Sequence, residues 1–499
     1  MLSHVTTIAF RGIEAVPVTV QVQVAGGLAA FHVVGLGDKA VAESRDRVRA
    51  ALSSMGLSVP PRRITVNLQP ADLPKAGSHY DLPIALGLMV ALGALPQASI
   101  DERVVLGELG LDGRLVGVSG VLPAAVGAQG LGFGLICPAE DGAQAAWASA
   151  DMSILAPQTL TAFVNHVNGT QLLSRPHPAM DRRPTARGDF ADVKGQESAK
   201  RAMEIAAAGN HNILLCGPPG AGKSMLAHRL ASILPPLTAG TLLESAMIRS
   251  VAGDLAGGKL SLSPPCRTPH HSASMAALVG GGPRARPGEI SLSHGGILFL
   301  DELPEFAPQV LDALREPLET HTATIARAQH RVSYPARFQL VAAMNPCRCG
   351  LAGEPGHSCR RGNACESDYQ ARLSGPLLDR IDIKMRVNAV TPGDLRAPKG
   401  EPSATIAARV AAARDRQTAR YADLPIATNA DCPSTEVEER LNADAGALAL
   451  LARALDERRL TARAYHRVMK VARTIADLSG SDTVTRPQMA EALGYRVSF

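Results

Sequence analysis

Ile213-Leu-Leu-Cys-Gly217-Pro218-Pro219-Gly220-Ala221-Gly222-Lys223-Ser224 is an apolar run leading into Gly-x-x-x-x-Gly-Lys-Ser, with the helix-prone Met-Leu-Ala-His-Arg-Leu-Ala directly behind it. Strand, glycine-rich turn and helix in that order build a phosphate-binding loop. Glycines let successive backbone N–H groups turn inward, and a helix N-terminus adds its positive end. In this reading Gly217 to Gly222 wrap the phosphates, Lys223 reaches the β- and γ-phosphates, and Ser224 holds Mg²⁺. The predicted ligand is a nucleoside triphosphate, with ATP and Mg²⁺ as the expected pair.

Hydrolysis needs acids, and Gly296-Ile-Leu-Phe-Leu-Asp301-Glu302 supplies two of them at the end of an unbroken apolar run. Such a run suits a strand buried on both faces of a parallel sheet, whose carboxyl end is where ligands sit. Asp301 is expected to bind Mg²⁺ through water and Glu302 to polarise the attacking water.

The chain has 499 residues, 46% of them apolar but only 3% aromatic, so large aliphatic cores in about three domains are expected. Lys and Arg number 51 against 46 Asp and Glu. That balance permits nucleic acid as a partner without demanding it. No secretory signal opens the chain, and the longest apolar run, Leu82 to Leu95, contains Pro83 and is too short for a bilayer span. A cytoplasmic protein with no membrane partner is expected. Its eight cysteines are then read as thiols or metal ligands rather than disulfides.

Residues 1–170 alternate strand-like and helical stretches, which predicts an α/β domain. Val18–Val24, Arg63–Leu68 and Val104–Leu106 read as strands, Lys39–Met55 and Asp81–Gly93 as helices. Residues 171–188 read as a linker, 189–390 as the nucleotide core, and 391–499 as an all-helical remainder.

Several further segments share one likeness: Val33-Val-Gly-Leu-Gly-Asp-Lys, Gly77-Ser-His-Tyr-Asp-Leu-Pro, Pro269-His-His-Ser-Ala-Ser, Pro287-Gly-Glu-Ile-Ser-Leu-Ser-His-Gly-Gly, Leu373-Ser-Gly-Pro-Leu-Leu-Asp-Arg-Ile-Asp and Arg463-Ala-Tyr-His-Arg-Val-Met-Lys. Together with the nucleotide motifs they resemble the ComM family of magnesium-chelatase-like AAA+ ATPases over essentially the whole chain. The resemblance implies an AAA+ core, a Lon-protease-like α/β front domain and a helical lid. It also implies a homo-hexameric ring acting on single-stranded or branched DNA, a helicase promoting branch migration during natural transformation.

By the same resemblance Asn345, after the strand-like Phe338–Met344, looks like the polar sensor that orients the attacking water. Arg380 looks like an arginine finger offered to the neighbouring subunit, a contribution worth roughly 10³ to 10⁵ in rate. Arg463 looks like the second sensor touching the γ-phosphate, with Arg467 one turn later as a competing choice.

The front domain's likeness to Lon raises a protease reading, which needs a serine activated by a lysine. Ser78 falls one place early, His79 stands in the nucleophile's column, and Leu122 stands where the lysine belongs. The dyad is missing, so a scaffold is expected.

Thr322 to Pro335 alternates like a hairpin, and in chelatase-like and MCM-like ATPases such a hairpin points into the ring's pore. Arg327, His330 and Arg331 would there grip DNA phosphates; the alternative is an ordinary solvated hairpin end. Cys347, Cys349, Cys359 and Cys365, with His357 nearby, form the dense cysteine cluster. They are either a tetrahedral Zn²⁺ site or free thiols in a surface insertion. Two other readings stay in view: a chelatase-type chaperone that remodels a protein partner, and the disfavoured ATP-dependent protease.

Overall fold

Val18, Val20, Val22 and Val24 face inward while Thr19, Gln21 and Gln23 alternate with them, so Glu14–Ala25 buries one face of an antiparallel strand. Its partner Leu2–Arg11 runs back in full register, Leu2 opposite Gln23 and Arg11 opposite Glu14. The computed structural model, which describes residues 1–181, 188–282, 285–326, 331–350, 352, 359, 364–458 and 460–496, extends this pair into a seven-stranded sheet. Its order is Ala30–Val34, Arg63–Gln69, Glu14–Ala25, Leu2–Arg11, Arg103–Val105, Gly134–Ile136 and Ile154–Leu155. Helices Lys39–Ser54 and Asp81–Ala91 pack on it; the second is buried almost throughout and belongs to a core, not a bilayer. Among the described residues no helix is long and apolar enough to cross a membrane.

Within the stretch read as a linker, Ala179–Met180 pairs in parallel with Lys259–Leu260 of the following domain. Its backbone groups find partners there that composition does not reveal.

The second sheet is wholly parallel, in the order Cys266–Arg267, Ile297–Leu300, Gln339–Met344, Ile213–Cys216 and Ile383–Arg386. Every residue of Ile213–Cys216, Ile297–Leu300 and Gln339–Met344 is buried, which is what unbroken apolar runs require when helices cover both faces. Ile213 and Leu215 enter one core while Leu214 and Cys216 enter the opposite one. Helices Ser403–Arg420, Ser434–Leu441, Ala445–Arg458, Ala462–Leu478 and Arg486–Gly494 extend the first of these cores. The fold is therefore α/β: a P-loop AAA+ core, a Lon-like α/β front domain and a helical C-terminal region.

Front domain and core meet on two sides. Leu122 is fully buried against Ala246, Leu255 and Leu260. Its N–H and the Ser250 hydroxyl both donate to Gln144 Oε1, the former at 3.3 Å. On the other side, the turn at Gly12 lies so close to the Arg331–Pro335 strand that a Cβ there would stand 3.0 Å from the Ser333 carbonyl.

Candidate nucleotide site

The carboxyl ends of three adjacent strands make the site. Strand Ile213–Cys216 ends in a loop whose Gly220 and Gly222 adopt φ of +77° and +89°, conformations open to glycine. A Cβ at Gly217 would stand 2.1 Å from the Val387 carbonyl, so this position also excludes larger residues. Helix Lys223–Leu230 begins at once. The resulting cleft of about 330 Å³ is lined by Pro219, Gly220, Gly222, Lys223, Ser224, Met225, Asp301, Glu302, Met344 and Asn345. Pro218 borders it as an acceptor for Lys223, and Ala221 is buried behind the loop.

Lys223 Nζ donates to the carbonyls of Gly217 at 2.8 Å and Pro218 at 2.9 Å, and to Asn345 Oδ1 at 3.1 Å. Burial pushes its pKa below the usual lysine value against the opposing pull of Asp301. Ser224 Oγ donates to Asp301 Oδ2 at 2.7 Å. A hydroxyl beside a carboxylate is a hard-oxygen pair suited to Mg²⁺, with water completing the shell. These two residues would hold the cation, which in this chemistry neutralises charge on the phosphates.

Glu302 sits in the left-handed region at φ +52°, half exposed at the cleft's edge, and its backbone N–H donates to Asp301 Oδ1. His271 Nδ1 approaches Glu302 Oε2 at 3.3 Å. This contact was not read from the sequence, where Pro269-His270-His271-Ser272 carried no role. Nothing in the spacing links position 271 to 302; only the fold brings them together.

The two expected arginines do not line the cleft. Arg380, expected to be offered to a neighbouring subunit, is 7% exposed within this chain, donating to Arg315 O at 3.1 Å and Pro376 O at 2.7 Å and paired with Glu319 at 2.6 Å. Burial inside its own subunit was invisible because Glu319 is remote in sequence. Arg463 is exposed at the start of helix Ala462–Leu478 and reaches the same Glu319 at 3.9 Å instead of a phosphate position. Arg467 is locked onto Asp382 and onto the Arg380 carbonyl, which excludes it from the cleft. Burial alone would raise the pKa of Asp382; Arg467, His211 and the Asn212 N–H outweigh it and hold the carboxyl well below its usual range.

The hairpin consists of Thr322–Ala326 and Arg331–Pro335, antiparallel, with Ala326 opposite Arg331. Arg331 is exposed; Arg327 and His330 lie outside the described residues. The sulfurs of Cys347, Cys349, Cys359 and Cys365 all lie within 4.8 Å of one another, whereas His357 lies outside the described residues.

In the front domain Ser78 Oγ donates to Glu108, not to a lysine, and His79 Nε2 meets the Ile8 carbonyl at 3.0 Å. Lys75 donates to the Pro70 carbonyl. Leu122, a buried hydrocarbon side chain, carries no group able to take or give a proton.

Fold and cleft define a P-loop nucleoside triphosphatase of the AAA+ class. Family models described as magnesium chelatase, subunit ChlI, match residues 189–395 and, as its C-terminal part, 400–496; one described as subunit ChlI of Mg-chelatase matches 20–141. The chain is 42% identical to the competence protein ComM of Haemophilus influenzae over 99% of its length and 97% of that protein. Shorter similarities run to Lon protease 2 of Bacillus subtilis (26% identity, 26% of this chain and 25% of that one) and to the Holliday junction branch migration complex subunit RuvB of Methanoregula boonei (25% identity, 53% and 68%). The chain belongs to the ComM and magnesium-chelatase-like family of AAA+ ATPases.

Proposed function

We propose that this protein is an ATP-hydrolysing motor that works on DNA as a homo-hexameric ring and drives branch migration in homologous recombination during natural transformation. The observation that carries the reading is the hairpin of Thr322–Ala326 and Arg331–Pro335, which falls in the chain between the acid pair at Asp301 and Glu302 and the strand leading to Asn345, and whose returning strand opens on the exposed Arg331. The printed names of two relatives, a competence protein and a branch-migration subunit, support the same direction. ATP and Mg²⁺ bind at Gly217–Ser224 and Asp301, and Glu302 with Asn345 directs water at the γ-phosphate. Arg380 acts on a neighbouring subunit's nucleotide once assembly draws it from Glu319, and Arg463, released from the same carboxylate, touches the γ-phosphate as the second sensor. The four clustered cysteines hold one structural Zn²⁺.

A second reading, a chelatase-type chaperone that remodels a protein partner, is favoured by the ChlI descriptions of the matched models. ATPase and strand-exchange assays with single-stranded, duplex and branched DNA decide between them. Stimulation and junction movement support the motor, and an ATPase indifferent to every DNA overturns it.

A further inference from the structure

We propose that the four-cysteine cluster is a positioning element of the nucleotide site, in which a bound zinc ion fixes the turn carrying Asn345 and braces the phosphate loop, so that metal occupancy sets the rate of turnover. The proposal rests on the zinc reading above and adds the coupling.

Strand Gln339–Met344 delivers Asn345, and the first sulfur follows two residues later at the buried Cys347. Cys349 Sγ stands 3.0 Å from that of Cys347 and 2.8 Å from that of Cys359. A tetrahedral zinc with sulfurs at about 2.3 Å sets them roughly 3.8 Å apart, so the observed cluster needs only shifts of about 1 Å to close round one ion. The turn between the first two ligands and the loop is tight: the Gly350 N–H donates to the Cys347 carbonyl at 2.9 Å, with φ of +81° at Gly350.

The opposite side of that turn is the nucleotide site. A Cβ on Gly350 would stand 2.7 Å from Pro219 Cγ and Cδ, so its backbone rests directly on the phosphate loop. Asn345 Oδ1 in turn accepts from Lys223 Nζ of the same loop. Loop, sensor and cysteine turn thus form a closed circuit, and the ion is the one constraint in it that reagents can withdraw. Its loss frees the turn and with it the direction of Asn345. The loop's own strand and helix remain, so nucleotide binding persists while water alignment suffers.

The test uses the full-length protein. Zinc is counted by elemental analysis, and ATP turnover and binding of a fluorescent ATP analogue are followed before and after a zinc-selective chelator, with magnesium in excess. One zinc per chain is expected. Its removal should lower kcat about tenfold and change the analogue's Kd less than about threefold; re-added zinc should restore the rate. Cobalt in its place should give thiolate charge-transfer absorption. Gly350→Ala keeps all four sulfurs and should keep zinc while lowering kcat, because the added methyl presses on Pro219 and strains the left-handed turn between sensor and cysteines. If zinc leaves and kcat stays, or Gly350→Ala turns over normally, the coupling is wrong and the zinc site stands. Wild-type protein without metal overturns both.

Discussion

Arg380 and Arg463 share one carboxylate: Glu319 Oε1 lies 2.6 Å from the first guanidinium and 3.9 Å from the second. One is nearly buried and the other 62% exposed at its side chain, so the pair links the body of the core to the surface of the helical region. Exposed ion pairs alone contribute little, but the three hydrogen-bonding partners of Arg380 make leaving its burial site costly. In the proposed ring, a neighbouring subunit's phosphate would have to compensate for that loss.

Glu319→Gln weakens the hold on both arginines. It should raise ATP turnover at low protein concentration, where rings are sparse, and leave saturating turnover within about threefold. Arg380→Ala should abolish turnover, and mixing it with Lys223→Ala should restore part of it in mixed rings, where each mutant contributes its intact half-site. ATPase measured against protein concentration and mixing ratio checks this; activity independent of both would point to a site complete within one chain.

Lys223→Ala removes the charge that the Asn345 oxygen and the loop carbonyls surround, and should lower nucleotide affinity and turnover about 100-fold or more. Glu302→Gln leaves Ser224 and Asp301 as the cation pair, so binding should persist while hydrolysis falls by a similar factor. Equilibrium binding beside steady-state kinetics separates the two. Wild-type turnover in Glu302→Gln would remove its water-activating role.

Arg331→Ala combined with Arg327→Ala should weaken DNA stimulation while basal ATPase holds, because Arg331 is not part of the cleft. The loss should be independent of DNA sequence. Each lost phosphate contact should flatten the log–log salt dependence of binding to duplex by about 0.9. An unchanged slope would move the DNA contact elsewhere, with the front domain as the next surface to test.

Asp141, buried in the front domain, has its pKa pushed up from 3.8 to about 6, chiefly by burial, against the N–H of Val118 that favours its charge; nearby Glu140 adds to the rise. The folded state therefore holds this proton more tightly than the unfolded chain, and its contribution to stability is lost as pH climbs from about 4 to 6. Two pKa units correspond to about 3 kcal/mol. Asp141→Asn keeps an acceptor for Val118 and should raise the thermal midpoint at pH 7 but not below pH 4. A midpoint difference that is flat with pH would contradict the shift.

Two parts of the nucleotide cleft were legible as local signals, each a strand end with its own chemistry, the glycine loop and the acid pair; Asn345 came only from the family resemblance. Alternation likewise announced Val18–Val24, since burial of one face repeats along that strand, and the unbroken apolar run after Asp81 announced a helix buried almost throughout. What escaped reading were meetings between distant segments. Glu319 with Arg380, His271 with Glu302, and Ala179–Met180 with Lys259–Leu260 depend on how sheets and loops stack. No spacing within a segment encodes those.

Leu122 stands where a protease of this fold would need its ammonium, and it serves as an adhesive between two domains. Fully burying such a side chain contributes roughly 1.5 to 3 kcal/mol, and the Ser250 and Gln144 polar contacts beside it would lose their partners on separation. The front domain is therefore fastened to helix Ala239–Ala252, and separating the two exposes an aliphatic seam to water.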